Sequence, residues 1–322
     1  MYGNFKFDYL HYNRKMKVPL FTAEYPPNSP KFKSLVMKDI NIAFEEDIGS
    51  KFLKNNSSGD LTAQLIPAMQ IATATIITRE KAVICGIPWA TQAFKQMDNN
   101  ILINWYVTEG DVVKPNQLLC EIKGNARALL SAERTALNFL QLLSSVATET
   151  RQYVDVIQHT KALILDTRKT IPGLRLAQKY AVSIGGGHNQ RLALYDGILI
   201  KENHIAAAGS IQSAFQFAKN LTYHTLNKKI TIQIEVETLG QLSEALTAGA
   251  QSVLLDNFDL GMLAEAVKLN HGRALLEASG GVSLNTVKAI AETGVDRISI
   301  GSITKNIHAI DLSLRIISTD LN

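Results

Sequence analysis

Four apolar runs in the second half of the chain each end in side chains that could do chemistry. The first, 162–169, closes on Asp166, Thr167, Arg168 and Lys169. The second, 197–203, closes on Lys201, Glu202 and Asn203, with His204 next. The third, 230–237, carries Glu235 and Glu237, and the fourth, 252–257, ends on Asp256 and Asn257. One charged strand end is usually a solvated loop, but four in succession describe a site. Fixed cations bind carboxylates and phosphates, and Arg does so in a bidentate fork. Carboxylates placed opposite a phosphate hold a divalent metal, sugar hydroxyls or both. Two further runs end differently, in Ala278-Ser279-Gly280-Gly281 and in Ile300-Gly301-Ser302. Glycine lets backbone N–H groups approach an anion. A phosphate monoester is therefore the expected ligand of these two ends.

The elements that must position these residues follow from the pattern. Helical periodicity fills most of the gaps between the runs, at 205–219, 239–248, 259–269 and 283–293. Gly249 and Gly294 fall where helix C-caps belong. Strands alternating with helices predict a parallel sheet. The 21-residue steps from Glu235 to Asp256 and from Asp256 to Glu277 favour a β/α barrel. In such a barrel the C-terminal strand ends carry the active site, and phosphate sites commonly use the last two loops. No GxGxxG follows the first strand, which disfavours a dinucleotide-binding domain.

The first third reads as mixed α and β. Residues 35–47 have helical spacing, 51–59 form a polar loop, and 71–77 and 82–85 have strand patterns. Residues 107–124 have the strand–turn–strand pattern of a lipoyl- or biotin-carrier hairpin. No lysine sits at its tip in a convincing context, so it is expected to be a structural half-barrel. Residues 131–148 predict one helix with Arg134 in its first turn. A cation there opposes the helix dipole. Either it has a use beyond helix stability or it pairs with Glu133 or a neighbour.

The composition is consistent with two domains. The chain has 322 residues, 46% of them apolar and 19% charged. At about 150 residues per domain that suggests two, and it excludes a largely disordered chain. The two cysteines, Cys85 and Cys120, are far apart and suit small buried hydrophobes in a reducing cytosol. The longest stretch without acidic or basic residues, ending at Thr78, contains Pro67, two glutamines and four threonines, too polar to span a bilayer. The aromatic, basic N-terminus lacks a secretory pattern and reads as an extension. Polybasic runs and nucleic-acid-binding signatures are missing from the sequence. The net charge of +4 coincides with one window: 166–201 holds six cations and two acids, and the other 27 cations and 27 acids cancel. The excess is thus expected at the barrel mouth, where it would attract a polyanion.

Several motifs occur together in one order. They are Asp166-Thr167-Arg168-Lys169-Thr170, Pro172-Gly173-Leu174-Arg175, Gly185-Gly186-Gly187-His188-Asn189-Gln190-Arg191, Ile200-Lys201-Glu202-Asn203-His204, Glu235-Val236-Glu237, Leu255-Asp256-Asn257 and Ser279-Gly280-Gly281. Glu133-Arg134-Thr135-Ala136-Leu137-Asn138, residues 79–86, Glu46-Asp47 and Gly59-Asp60-Leu61-Thr62 extend the set toward the N-terminus. From about residue 35 onward the chain resembles the carboxylating nicotinate-nucleotide pyrophosphorylases, or quinolinate phosphoribosyltransferases. That resemblance implies an α/β protein: an N-terminal α+β sandwich domain over 1–135, rejoined by 305–322, and an open β/α barrel over 136–304. It implies transfer of phosphoribosyl from phosphoribosyl pyrophosphate to quinolinate, with Mg²⁺, loss of CO₂ and formation of nicotinate mononucleotide for NAD synthesis. It implies a cytoplasmic homodimer with Arg134 reaching the neighbouring site.

Carried over by motif, Arg134, Thr167, Arg168, Lys169, Arg191 and Lys201 would bind quinolinate. Glu235 and Asp256 would face the ribose and the metal, directly or indirectly. Ser279, Gly280, Gly281, Ile300, Gly301 and Ser302 would bind the 5′-phosphate. Lys169, Lys201, Glu235 and Asp256 would be catalytic. This chain departs from the family pattern at Gln190, where many members have histidine, at Ile171, and in an insertion at 51–58. Gln190 keeps hydrogen bonding without a positive charge. The alternatives are a paralogue acting on nicotinate, the molybdenum-transport-associated homologue, or a non-catalytic carrier or regulatory protein. The four-cation set favours a dicarboxylate, and retention of Glu235 and Asp256 disfavours a carrier.

Overall fold

A computed structural model describes residues 24–49, 59–224 and 230–320. The extension at the N-terminus and the insertion at 51–58 lie outside the described residues.

Helix α1 (Pro30–Ile48) starts where Ser29 accepts the N–H of Phe32 at 3.1 Å, with Pro30 in its first turn. It therefore begins five residues before the 35–47 pattern. Its buried stripe, Phe32, Val36, Ile40 and Phe44, has the spacing of one helix face. Strand β1 (Ile71–Thr78) alternates half-buried and buried residues along its whole length. Then follow β2 (Ala82–Val83), α2 (Ile87–Met97), β3 (Leu102–Trp105), β4 (Val112–Val113) and β5 (Leu118–Asn125). The last strand, β12 (Leu312–Asp320), returns to pair antiparallel with β1 and completes a sheet ordered β12-β1-β5-β3.

The carrier-type hairpin is not formed. β4 pairs with β2, whereas β5 joins the larger sheet beside β1 and β3. Asn116 takes a left-handed conformation and gives its N–H to Thr78, and Gln117 accepts the Thr78 N–H. These bonds send the two halves of the expected hairpin into different sheets.

Helix α3 (Ala126–Ile157) follows β5 directly, because Asn125 caps it by accepting the Ala128 N–H at 3.2 Å. Its 32 residues span about 48 Å. Arg134 therefore lies two turns inside the helix, and the unfavourable first-turn dipole expected from sequence does not arise. Residue 135 falls within this continuous helix. Thr148 and Ser144 accept the N–H groups of Val83 and Cys85, while Arg151 donates to the carbonyl of Gly185. One rod thus holds both the N-terminal sheet and a loop of the barrel. Gly185 and Gly187 allow that approach. A Cβ on Gly185 would lie 2.5 Å from the Ala147 carbonyl, and one on Gly187 would lie 2.7 Å from Cγ2 of Thr150.

The barrel strands are β6 (Leu163–Leu165), β7 (Gly197–Ile200), β8 (Thr231–Val236), β9 (Ser252–Asp256), β10 (Leu275–Ser279) and β11 (Arg297–Ser299). They form a parallel sheet ordered β6-β11-β10-β9-β8-β7. All six lie inside the predicted runs. β6 and β7 do not pair, so the barrel is open; β6 instead bonds to His188 on that side. The helices are α4 (Arg175–Ile184), α5 (Glu202–Ala208), α6 (Ile211–His224), α7 (Leu239–Thr247), α8 (Leu260–Asn270), α9 (Val287–Glu292) and α10 (Ser302–Lys305). α4 has no counterpart in the sequence reading. The predicted 205–219 helix is two, separated at Gly209, whose φ is 87°.

The buried N-terminal acid Asp39 accepts the Trp89 indole N–H at 2.9 Å, and burial pushes its carboxyl up to about 6. Folded Asp39 keeps its proton to a higher pH than the unfolded chain. Its contribution to stability therefore falls as pH rises from about 4 to about 6. Asp39→Asn keeps an acceptor for Trp89 without the charge. It should raise unfolding free energy by about 1–2 kcal/mol at pH 7, with the gain vanishing near pH 3.5. Denaturant unfolding at both pH values checks this; an equal difference at both would contradict it.

Candidate active site

Asp166, at the end of β6, is fully buried and paired with the equally buried Lys179 from α4. The same carboxylate accepts Nδ2 of Asn189 at 2.6 Å and the N–H of Gln190 at 3.0 Å. Lys179 also donates to the Gln190 carbonyl at 3.1 Å. Backbone bonds from His188 to Ile164 and from Asp166 to His188 complete the junction. One buried ion pair thus fastens the 188–191 segment against β6.

That junction revises the charge distribution read from sequence. Lys179 is neutralised inside the protein rather than facing the mouth. Arg175 is also used structurally, donating to Oγ1 of Thr170 at 3.1 Å and to the carbonyl of Arg168 at 3.4 Å. That leaves Arg168, Lys169, Arg191 and Lys201 as the candidate site cations.

Arg168 is half-buried, and its buried Nε has no hydrogen-bond partner among the described residues. Arg191 anchors Nη1 on the carbonyl of Gly197 at 2.9 Å. Burial lowers the Arg191 pKa, and the nearby Arg168 charge lowers it further, against Asp196 and Glu235. The two guanidiniums therefore act on each other as like charges. Lys169 is exposed, and Thr167 accepts its backbone N–H at 3.0 Å. Gly301 lies beside it: a Cβ there would lie 2.9 Å from Cδ of Lys169 and 3.6 Å from Oγ1 of Thr167. Oγ1 of Thr304 holds the Lys169 carbonyl at 2.8 Å. β6 and β11 are adjacent in the sheet, which brings the cation loop and the Gly301 loop together.

Lys201 follows β7 as the N-cap residue of α5, and Glu235 lies near the end of β8. Lys201 Nζ donates to both Glu235 oxygens, at 2.7 and 3.0 Å. Glu237 lies beyond the strand and is exposed. Asp256 and Ser279 are register partners on β9 and β10. Asn257, with φ at 56°, donates from Nδ2 to Asp256 at 3.0 Å and from its backbone to the Ser279 carbonyl at 2.9 Å. Gly280 is obligatory here: its φ is 102°, and a Cβ would fall 2.1 Å from Oδ1 of Asn257. Gly281 faces open space. Oγ of Ser302 is buried without a hydrogen-bond partner among the described residues, so it is available to a ligand. Ile300 differs from its neighbours. Its side chain is buried and its N–H is given to the Leu165 carbonyl at 2.9 Å.

Arg134 is exposed on α3 and makes no hydrogen bond or ion pair with another described residue. The other expected residues line consecutive strand ends: a cationic half on β6, β7 and the 188–191 segment, and a carboxylate and glycine half on β8 to β11. A cavity of about 270 Å³ lies elsewhere, beyond the N-terminal ends of β9 and β10, near Lys161, Asn270 and Arg273, and contains none of these residues. An open site that binds charged, hydrated ligands is a shallow mouth, so we place the chemistry at the strand ends.

No group of three or more His, Cys, Asp or Glu side chains arranged to hold a metal occurs among the described residues. The Glu235 and Asp256 pair still suits Mg²⁺, which is held by one or two carboxylates together with substrate phosphates. Sequence reasoning missed the role of Lys179 because α4 was not recognised. It also missed Gln233 and Glu277, whose only signal is a polar residue inside an apolar strand.

Comparisons with known proteins agree with this arrangement. The family profile "Quinolinate phosphoribosyl transferase, C-terminal domain" matches residues 146–315, and the corresponding N-terminal profile matches 60–144. A Bacillus subtilis protein named probable nicotinate-nucleotide pyrophosphorylase (carboxylating) is 40% identical over 277 residues, covering 86% of this chain and 92% of the relative. A tobacco protein, quinolinate phosphoribosyltransferase (decarboxylating) 2b, mitochondrial, is 38% identical over 310 residues, covering 90% and 84%. The solved Francisella tularensis nicotinate-nucleotide pyrophosphorylase is 45% identical, covers 88% of this chain and 96% of its own, and superposes with a TM-score of 0.82. On the strand-end geometry, both profiles and these relatives, the chain belongs to the quinolinate phosphoribosyl transferase family.

Proposed function

We propose that this enzyme transfers the phosphoribosyl group of phosphoribosyl pyrophosphate to quinolinate and decarboxylates the adduct, giving nicotinate mononucleotide, CO₂ and pyrophosphate for NAD synthesis. The observation that carries this reading is the bonding of the 188–191 segment, which bears Arg191, beside the end of β6 that leads into Arg168 and Lys169, with the Lys201–Glu235 ion pair at the ends of β7 and β8. A dicarboxylate needs several fixed cations, whereas a monocarboxylate needs fewer.

In the mechanism, Arg168, Lys169, Arg191 and Lys201, with Thr167, hold the two quinolinate carboxylates. An incoming carboxylate competes with Glu235 for Lys201. Glu235 is then released to turn, with Asp256, toward the ribose hydroxyls. Ser279, Gly280, Gly281, Gly301 and Ser302 hold the 5′-phosphate, and Ile300 fixes the start of that loop. The ring nitrogen lone pair forms the bond to the anomeric carbon as the bond to pyrophosphate breaks. Glu235 and Asp256 stabilise the positive charge that develops on the sugar. The bond from C2 to its carboxylate then breaks and CO₂ leaves. Its electron pair is stabilised by the adjacent ring cation, with Lys169 and Lys201 close by, and C2 takes up a proton. Glu235 and Asp256 would hold Mg²⁺, which supplies neutralising charge to the pyrophosphate when bound.

We further propose a homodimer in which Arg134 enters the partner's site. Supporting this, Arg134 is exposed and, apart from the charge of the adjacent Glu133, has no hydrogen bond or ion pair among the described residues. Nearby on α3, Ser131 bonds Asp60 and Arg127 bonds the Ile66 carbonyl, fixing a segment on which Leu61, Leu65 and Met69 are all more than three-quarters exposed. Exposed apolar clusters of this kind mark interaction surfaces. No described helix is long and apolar enough to cross a membrane. Two buried free cysteines suit a cytoplasmic setting.

Purified protein given phosphoribosyl pyrophosphate, Mg²⁺ and quinolinate should release CO₂ and form nicotinate mononucleotide. Turnover of nicotinate but not quinolinate would overturn the assignment. Arg134→Ala and Lys169→Ala homodimers should each lose at least about 100-fold in activity. Mixed under subunit exchange, they should recover up to about a quarter of parent activity, because one of the two sites in a heterodimer is intact. Demonstrated exchange without recovery would contradict a shared site.

A further inference from the structure

Beneath the mouth, the barrel interior carries a line of polar side chains that the reaction above does not use. Gln233 lies two residues before Glu235 on β8, so both side chains face the interior. Gln233 and Glu277 are 6% and 1% exposed. Oε1 of Gln190 accepts the backbone N–H of Arg191 at 2.7 Å. Nε2 of Gln190 donates to Oε1 of Gln233 at 2.7 Å, and Nε2 of Gln233 donates to Oε2 of Glu277 at 2.8 Å.

The direction of this chain is dictated by its first member. A backbone N–H can only donate, so the Gln190 oxygen must face it. The Gln190 amide then donates to the Gln233 oxygen, and the Gln233 amide needs an acceptor beyond it. Glu277 is that acceptor. Glu277 is also the register partner of Arg297 on β11, which ties the end of the chain to a second barrel strand. Hydrogen bonds linked in series inside a low-dielectric interior support one another and select a single arrangement.

We propose that Gln190, Gln233 and Glu277 form a positioning chain that sets Arg191, and through it the dicarboxylate pocket. Arg191 has two other constraints: Nη1 is bound to the Gly197 carbonyl, and Arg168 repels it. The Gln190 oxygen fixes the Arg191 backbone, so the guanidinium stays near Arg168 instead of yielding to repulsion. Gln190 therefore acts through Arg191. Its amide functions are consumed by Arg191 and Gln233, which explains why an uncharged side chain suffices at this position. Gln233 and Glu277 are positioning residues in the same sense.

This inference rests on the quinolinate reading, and its test is separable from it: failure of that reading is loss of quinolinate turnover by the parent enzyme. Given parent turnover, Gln190→Met and Gln233→Met should each raise KM for quinolinate about 10-fold and leave KM for phosphoribosyl pyrophosphate within about twofold. The double variant should be no worse than the more affected single variant, because either change breaks the same chain. Gln190→His retains one acceptor and one donor and should restore most of the quinolinate affinity. Calorimetric titration with quinolinate gives the same comparison without turnover, and circular dichroism establishes that each variant is folded. Folded Gln233→Met with unchanged quinolinate KM would overturn the proposal. So would additive effects in the double variant, or equal rises in both KM values.

Discussion

The site depends on one buried carboxylate. Asp166 receives Lys179, Asn189 and the Gln190 N–H, and so joins β6, α4 and the 188–191 segment at one point. The residues immediately after Asp166 and Gln190 include Arg168, Lys169 and Arg191, and the Arg168 charge acts against that of Arg191. The bonds from Asp166 to Asn189 and Gln190, and from Lys179 to the Gln190 carbonyl, hold the 188–191 segment in place against that repulsion. A buried ion pair is seldom a net source of stability against an apolar alternative. Its value here is geometric, since it fixes the 188–191 segment, which carries Arg191, beside the strand end that leads to Arg168 and Lys169.

The open barrel gives this junction its importance. In a closed barrel, β6 and β7 would bond to each other and fix their own loops. Here the side of β6 facing the gap is bonded to His188 instead, and α3 supports the same loop from outside through Arg151. The absence of Cβ atoms at Gly185 and Gly187 is what lets the loop lie against α3. Gly185 and Gly187 are thus packing devices. At the candidate phosphate loops, the position that requires glycine is Gly280, set by its φ and by Asn257. The two halves of the site are therefore made differently: the cation half by a buried polar junction and the anion half by regular strand ends.

The contrast decides what could be read from sequence. Short parallel strands buried on both faces are continuous apolar runs, and the polar residues that follow them stand out. The six strands and Lys169, Lys201, Glu235 and Asp256 were legible for that reason. α4 was not, because it lies between a proline-glycine turn and the glycine triplet, where breaker residues dominate local pattern. Missing α4 meant counting Lys179 among the mouth cations, although only its three-dimensional partner shows it to be neutralised. Arg134 was misplaced in the first turn because α3 starts at once after β5, with Asn125 serving as both last strand residue and cap. The hairpin failed for a related reason: strand pattern identifies a strand but not its partner. Gln190 was visible as a departure from the family pattern, yet its consequence depends on Gln233, 43 residues away.

The most direct measurement is the separate binding of the two substrates to Lys179→Met at a temperature where circular dichroism shows it folded. If the Asp166–Lys179 pair exists to hold the cation half together, quinolinate affinity should fall about 100-fold. Affinity for phosphoribosyl pyrophosphate with Mg²⁺ should stay within about threefold, since the pair's hydrogen bonds go to Asn189 and Gln190 and none goes to the β8 to β11 strand ends among the described residues. Undiminished quinolinate binding by the folded variant, or parallel loss of both affinities, would contradict the account.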